Sequence, residues 1–410
     1  MRNPLFSVLI PSRNREDLLR HAVASVLKQD FDDFEIIVSD NASSPPYAPA
    51  SQLDPTGRLS VHRTETSLSV TENWNRALEH ARGDYIIMLG DDDALTPGAL
   101  RRFASHIEAF DRPDLLYVMA YHYCYPHVSP SSPQGYFCAM ANSPLFTRGA
   151  QPYLLPVEEA RDLANLAMGM RHDVSFNAQH FIWKRSYMAA SPARPFFQSP
   201  YPDYFACFVT FSAASRIVVV PTPEMIIGIS GKSFGFYYVR DRQDEGFQQF
   251  LGDKIDFRAL AQDRAELSAA FAMPGSRHLQ NWLLAALFAE RALSLPLCSA
   301  VNVQRYRLAQ LIELFKSPRA TTIARTILDP RTASHLTGAE QRSLLAQLAR
   351  RLVGRTPLAF LFRKSARAAA YLQQLESEFG LYFPPRVNTI EIGGHKNILD
   401  AYAFLERTVA

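Results

Sequence analysis

Three consecutive carboxylates, Asp91, Asp92 and Asp93, stand directly after the apolar run YIIML and shortly before Thr96-Pro97. Carboxylates this close repel one another: at about 5 Å and an effective dielectric near 20, Coulomb's law gives roughly 3 kcal/mol per pair. A divalent cation removes that cost, and hard oxygen ligands suit Mg²⁺ or Mn²⁺, ions that also bridge the diphosphate of a nucleotide. Taken alone, the triplet reads as a solvated acidic turn. Asp40 ends a second apolar run, EIIVS, and is followed by Asn41, Ala42, Ser43 and Ser44. A carboxylate there can accept a hydrogen bond from the ring N–H of uracil, thymine or guanine, or simply start a turn. Further on, Gly231, Lys232, Ser233 and Gly235 follow another apolar run. A glycine-flanked loop with an ammonium and a hydroxyl can close over a diphosphate, although a plain surface turn has the same composition. It is not a P-loop, since the GxxxxGK[ST] spacing is absent. His172 and His180 have no partner pattern and read as structural or surface histidines.

The elements that would position these residues alternate. Phe6 to Ile10 and Glu35 to Ser39 are short, β-branched apolar runs suited to buried parallel strands, and Leu18, Leu19, Ala22, Val23, Val26 and Leu27 between them lie at helical spacing. Strand, helix, strand makes a right-handed βαβ unit with its ligand site at the carboxyl ends of the strands, where Pro11 to Arg15 and Asp40 to Ser44 fall. A strand is predicted at Leu59 to Arg63, a helix over 71–82 with Trp74, Ala77, Leu78 and Ala81 inward, and a strand at Tyr85 to Leu89. Thr96 and Pro97 predict the N-cap and first turn of a helix with Leu100, Phe103, Ala104, Ile107 and Phe110 on its apolar face. Strands follow at Leu115 to Tyr123, Phe181 to Trp183, Ile217 to Val220 and Ile226 to Ile229. Residues 126–155, rich in Pro, Ser and Gly, read as an excursion able to cover a site. After about residue 250 Ala, Leu, Arg and Gln dominate, and 389–407 read as a strand, a Gly-Gly turn and a closing helix. The whole predicts an α/β fold with helices on both faces of a sheet, in residues 1–245, and a mainly α-helical domain over 246–410.

At 410 residues the chain exceeds the size of one growing core, and 47% hydrophobic with 20% charged residues is an ordinary globular balance. The apolar run near the N-terminus is too short for a signal peptide or a membrane span, which predicts a cytoplasmic protein. Cys124, Cys138, Cys207 and Cys298 lack the paired spacing of zinc sites and read as buried thiols. A net charge of +3 implies no nucleic-acid partner. Residues 341–370 carry Arg342, Arg350, Arg351, Arg355, Arg363, Lys364 and Arg367 without an acid. Interleaved with Leu, Val and Phe, they suit peripheral contact with an anionic membrane, a solvated basic face, or a homodimer contact.

SVLIPSRNREDLLRHAVASVLKQDFDDFEIIVSDNAS and NWNRALEHARGDYIIMLGDDDALTPGAL resemble the nucleotide-binding and DxD-bearing segments of the inverting family 2 glycosyltransferases of the GT-A fold. The likeness is dense over about residues 5–110 and thin to about 240. It implies a nucleotide-binding half at about 1–125 and an acceptor half at about 126–245. By position it implies that Asp40 contacts the base, that Asp91 lies near the ribose, and that Asp92 and Asp93 hold Mn²⁺ or Mg²⁺ on the donor diphosphate. Pro11, Ser12 and Arg13 would line the nucleoside pocket, with Asn75, Lys232 and Ser233 also on the donor. Arg13 stands where the family often has an aromatic residue, and its guanidinium plane can stack on a base. The general base falls on Asp203, which can equally stabilise a helix N-terminus; Pro202 precedes it where the family often has Glu. The function implied is transfer of a sugar, UDP-linked by preference, to a hydroxyl of a glycan or lipid-linked acceptor in surface polysaccharide synthesis. A nucleotidyltransferase acting on a sugar phosphate and a non-catalytic binding scaffold are the alternatives.

Overall fold

The computed structural model describes residues 3–239, most of 265–316, most of 389–409 and a few single positions besides. The chain forms two compact units: Met1–Ala164, Asp173–Asp253 and Pro384–Ala410 make the first, Asn165–His172 and Lys254–Phe383 the second.

The first unit is built on a mixed sheet. Strand β1 (Phe6–Ser12) is buried except at Pro11, and its apolar run places side chains on both faces, as a central parallel strand requires. Helix α1 (Glu16–Leu27) follows, then β2 (Phe34–Asp40), a single turn α2 (Ala50–Leu53) and β3 (Leu59–Arg63). Helix α3 (Val70–Glu79) starts with a capping box between Ser69 and Glu72 and leads to β4 (Tyr85–Met88). Strand β1 lies parallel between β2 and β4, with Ser12 opposite Asp40 and Leu9 opposite Met88. Strand order is β3-β2-β1-β4 on this side, so the ends of β1, β2 and β4 open at one edge.

Period-two alternation divides the faces. Phe6, Val8, Ile10, Ile36, Val38, Tyr85 and Ile87 share a core with Leu19, Val23 and Val26 of α1 and with Leu100, Phe103 and Ile107 of helix α4 (Ala99–Ala109), which follows the short strand β5 (Ala94–Leu95). Each such side chain taken from water contributes about 1.5–3 kcal/mol. On the opposite face the Ser39 hydroxyl donates to Asn73 Oδ1 of α3 at 2.7 Å. Beyond β4 the sheet continues through β6 (Leu115–Cys124), β7 (Tyr136–Met140), β8 (Tyr153–Leu155), β9 (Phe181–Lys184) and β10 (Ile217–Ile229). Trp183 of β9 donates its ring N–H to Thr210 Oγ1 at 3.1 Å; Thr210 belongs to α7 (Pro202–Ala213), while α5 (Val157–Met168) and α6 (Arg185–Ala190) precede it. Helices therefore cover both faces, as expected.

Several local expectations are corrected. Helix α4 begins at Ala99 after Gly98, whose φ of 71° is left-handed; Thr96 does not cap it, because its N–H and hydroxyl both bind the Glu224 carbonyl at 3.1 Å. The two predicted strands at 217–220 and 226–229 are one strand, β10, irregular around Pro223, where the missing N–H interrupts the ladder. Residues 126–155 are no simple excursion, since β7 and β8 pair within the sheet. On α3 the buried residues are Asn73 and Ala77, with Trp74 and Leu78 partly exposed. Strand β11 (Thr389–Ile390) pairs with β7, so the end of the chain returns to the first unit instead of completing the helical segment.

Helix α8 (Phe234–Val239) follows β10 in the first unit; the described elements of the second unit are helices, α9 (Ala265–Phe271), α10 (Arg277–Ala292) and α11 (Val303–Lys316), and a last helix α12 (Ile398–Val409) closes the first unit. Buried Glu290 of α10 accepts the N–H groups of Cys298, Ala300 and Val301 at 2.7, 2.7 and 3.0 Å, which fixes the turn after that helix. Apart from Gln341, the basic stretch at 341–370 lies outside the described residues. Among the described residues no helix is long and apolar enough to cross a membrane. Cys124, Cys138 and Cys207 are buried and Cys298 half-buried. His180 is fully buried, with Nδ1 at 2.7 Å from the Val118 carbonyl.

Candidate active site

A cavity of about 440 Å³ opens at the carboxyl ends of the parallel strands, lined by Pro11, Ser12, Arg13, Asn14, Arg15, Asn41, Leu68, Val70, Asn73, Trp74, Asp91, Lys232 and Phe250. Ligands of open α/β sheets bind at this edge.

Asp91 faces the cavity and is anchored from both sides. One oxygen accepts the Ser12 hydroxyl at 2.6 Å and the other an Arg15 N–H at 2.9 Å. Ser12 Oγ lies 2.6 Å from the Tyr47 hydroxyl, whose oxygen also accepts the Arg15 backbone N–H at 3.1 Å. Arg15 further donates to the Lys232 carbonyl and stands 5.1 Å over the Phe250 ring. Lys232 directs its ammonium to Asp17, at 2.9 and 3.1 Å.

Asp92 points toward β10, and its Oδ2 accepts the Ser230 hydroxyl at 2.7 Å and the Ser230 N–H at 3.3 Å. Burial, then the neighbouring charge of Asp91, raises its pKa. The turn can lie so close to β10 because residue 228 is glycine. Asp93 is turned inward: Gly228 N–H donates to Oδ1 at 2.8 Å, while Gly90 N–H at 2.8 Å and Gln179 Nε2 at 2.7 Å donate to Oδ2. Burial, then Asp92, raises its pKa strongly. An oxygen pair committed to three N–H donors is a poor cation ligand, so the expected metal role of Asp93 does not suit its geometry. We predict that Asp93→Ala destabilises the fold by about 3 kcal/mol through stranded donors, in metal-free buffer as much as with Mn²⁺. A denaturant titration in EDTA showing no loss would contradict this.

Among the described residues no group of three or more His, Cys, Asp or Glu side chains is arranged to hold a metal ion by itself. A divalent ion bound through one or two carboxylates plus substrate phosphates needs no such cage. Of the three carboxylates, Asp91 lines the cavity and Asp92 accepts hydrogen bonds among the described residues through Oδ2 alone.

The remaining expected residues divide. Arg13 lines the cavity and donates to Ser67 Oγ at 2.5 Å. Asp40 is 1% exposed, with its oxygens taken by Ser43 N–H at 2.9 Å and Arg63 at 2.7 Å; Asn41 forms the adjacent wall. Ser233 is buried and donates to the Ser230 carbonyl at 2.9 Å, shaping the loop that presents Lys232. Asn75 points away from the cavity: its amide donates to the Thr71 and Phe197 carbonyls at 3.0 and 2.8 Å. Asp203, half-buried in the first turn of α7, accepts the Tyr204 N–H at 3.0 Å, and burial pushes its pKa up to about 7. An aromatic path joins this helix start to the cavity wall, from Tyr201 to Phe234 at 5.9 Å and from Phe234 to Phe250 at 5.9 Å.

Tyr47, Trp74 and Phe250 escaped the sequence reading as site residues, while Arg15 and Asn41 fell at the predicted ligand edge without an assigned role. Trp74 had no local cue, since its face neighbours at helical spacing, Val70, Thr71, Ala77 and Leu78, are mostly apolar. Phe250 had none.

A parallel half-sheet of a mixed α/β fold thus ends in an acidic turn beside a polar cavity, and the described elements of the second unit are helices. Residues 7–147 match the family model described as Glycosyl transferase family 2. The chain is similar to the putative colanic acid biosynthesis glycosyl transferase WcaA of Escherichia coli, at 32% identity over 124 residues, 29% of this chain and 43% of that protein. It is also similar to the GalNAc(5)-diNAcBac-PP-undecaprenol beta-1,3-glucosyltransferase of Campylobacter jejuni, at 37% identity over 105 residues, 24% of this chain and 32% of that protein. The chain thus spans less than half the length of these relatives. The solved structure of S. aureus TarS 1–349 in complex with UDP-GlcNAc aligns at 15% identity and a TM-score of 0.42, over 84% of this chain and 91% of that one.

Proposed function

We propose that the cavity binds a sugar nucleotide, UDP-linked by preference, and that residues 1–245 transfer the sugar with inversion to a hydroxyl of a glycan or lipid-linked acceptor. The observation that carries this reading is the placement of Asp91, held by Ser12 and Arg15, in the wall of a cavity at the carboxyl edge of the sheet. Arg13 and Trp74 offer flat surfaces for the base and ribose, with Asn41 and the Asp40–Arg63 pair at the base end. Lys232 and Arg15 bring positive charge to the diphosphate. Asp91 and Asp92 would hold Mn²⁺ or Mg²⁺, which when bound neutralises charge on the departing diphosphate. Asp203 removes the acceptor proton while the acceptor oxygen attacks the anomeric carbon from the face opposite the diphosphate, which leaves. Similarity to the Campylobacter jejuni protein, named as a glucosyltransferase on an undecaprenol-linked glycan, supports a lipid-linked acceptor. The basic stretch 341–370 would then hold the chain on the cytoplasmic face of a membrane.

The test is transfer and hydrolysis from UDP-, dTDP- and GDP-sugars, each with and without Mn²⁺. We expect metal-dependent turnover that is highest with a UDP-sugar, and loss of metal-dependent donor binding in Asp92→Ala. Turnover only with a nucleoside triphosphate and sugar phosphate, with pyrophosphate release, would replace this reading by nucleotidyl transfer.

A further inference from the structure

We infer that Asn75 is a positioning residue that clamps the loop leading to Asp203 onto the helix that carries Trp74 into the cavity; this rests on the reading of Asp203 as the general base. The side-chain amide of Asn75 makes a two-point pair with the backbone of Phe197. Its Nδ2 donates to the Phe197 carbonyl at 2.8 Å and its Oδ1 accepts the Phe197 N–H at 3.1 Å. One helical turn earlier, Thr71 Oγ1 donates to the Ser199 carbonyl at 2.6 Å. Ser199 is held at a left-handed φ of 71°, a conformation a serine keeps only when its surroundings impose it. Its hydroxyl then accepts the Tyr201 N–H at 3.3 Å, directly before α7 and Asp203.

Trp74 is held by ring packing, which the Asn75 amide pair does not supply. The Phe197 ring meets the Trp74 ring edge-on at 5.3 Å, and Phe197 is itself fully buried against Trp183. Consecutive positions on α3 therefore serve two ends of one reaction, with Trp74 toward the donor and Asn75 toward the loop that aims the base. A base displaced by about 1 Å costs on the order of a hundred-fold in rate, whereas the donor cavity, lined by Trp74 and not by Asn75, keeps its shape.

The experiment measures kcat, UDP affinity and hydrogen exchange of the Phe197 amide in Asn75→Ala and Thr71→Val. The expected result is faster exchange at Phe197 in Asn75→Ala, a kcat lowered on the order of a hundred-fold, and an unchanged Kd for UDP. Thr71→Val, which keeps side-chain shape and removes one hydrogen bond, should move kcat in the same direction by less, and carries the test if Asn75→Ala does not fold. UDP affinity falling in step with kcat would make Asn75 a donor-binding residue and overturn the inference. Unchanged exchange at Phe197, or faster exchange with an unchanged kcat, would overturn it too. If instead Asp203→Asn keeps full activity, the base assignment fails, and that outcome is distinct because Phe197 exchange still reports on the clamp.

Discussion

Asp203→Asn is expected to lower the transfer rate by about 10²–10⁴-fold, the usual contribution of a positioned general base, while UDP binding stays as in the native chain. The amide keeps the size of the carboxyl group and its acceptor oxygen for the Tyr204 N–H, so α7 retains its first turn. The native pH profile should carry the same signature. Burial raises the Asp203 pKa to about 7, and only the carboxylate can take a proton, so kcat/KM should fall tenfold per unit as pH drops below about 7. For stability the sign is opposite. A carboxyl whose pKa is raised in the folded state favours folding in its neutral form, and that contribution is lost as pH rises from the ordinary carboxylate range through about 7. The Asn variant, permanently neutral, should therefore melt at or above the native temperature at pH 8 while being far less active, a trade commonly met at active sites. A variant with native kcat, or a flat rate profile between pH 5 and pH 8, would remove Asp203 from the chemistry.

Gly228→Ala should be the most damaging small change in the site. A Cβ at this position would stand 1.8 Å from the Asp92 carbonyl oxygen and 2.8 Å from its carbon. Both are backbone atoms that cannot rotate away. The Gly228 N–H simultaneously donates to Asp93 at 2.8 Å, so relieving the clash moves β10 off the acidic turn and breaks that bond. A cost of about 3 kcal/mol is expected from such overpacking, lowering the melting temperature by roughly 6–12 °C, with UDP affinity falling as Asp91 and Asp92 shift. A variant that melts with the native chain would mean the turn and β10 are not in the close contact described here.

The parts legible in the sequence were those set by local pattern. Buried strands such as FSVLI and EIIVS advertise themselves by unbroken β-branched runs, and α1 by its 3.6-residue stripe, so the edge holding Pro11, Ser12, Asp40 and Asp91 followed from three strand ends. Features decided by distant partners were not legible. The two-residue β5 exists only through its antiparallel pairing with Met225 and Ile226. Asp93 differs from Asp92 by facing Gly228, Gly90 and Gln179, which nothing local in DDD announces. Asn75 points to a loop more than a hundred residues away in sequence, and Trp74 turns outward because Asn73 takes the buried place with Ser39. Arg15 fell at the predicted ligand edge without a role, since nothing local in SRNRE announces its contacts with Asp91 and the Lys232 carbonyl.

The most direct test of the central claim is a calorimetric titration of UDP into the full chain in Mn²⁺, repeated with Trp74→Ala and Asp91→Ala. A single site is expected on the native chain, weakened in both variants because both side chains line the cavity. Absence of binding by UDP, dTDP and GDP alike, or UDP affinity untouched by either substitution, would place the nucleotide elsewhere or nowhere on this molecule.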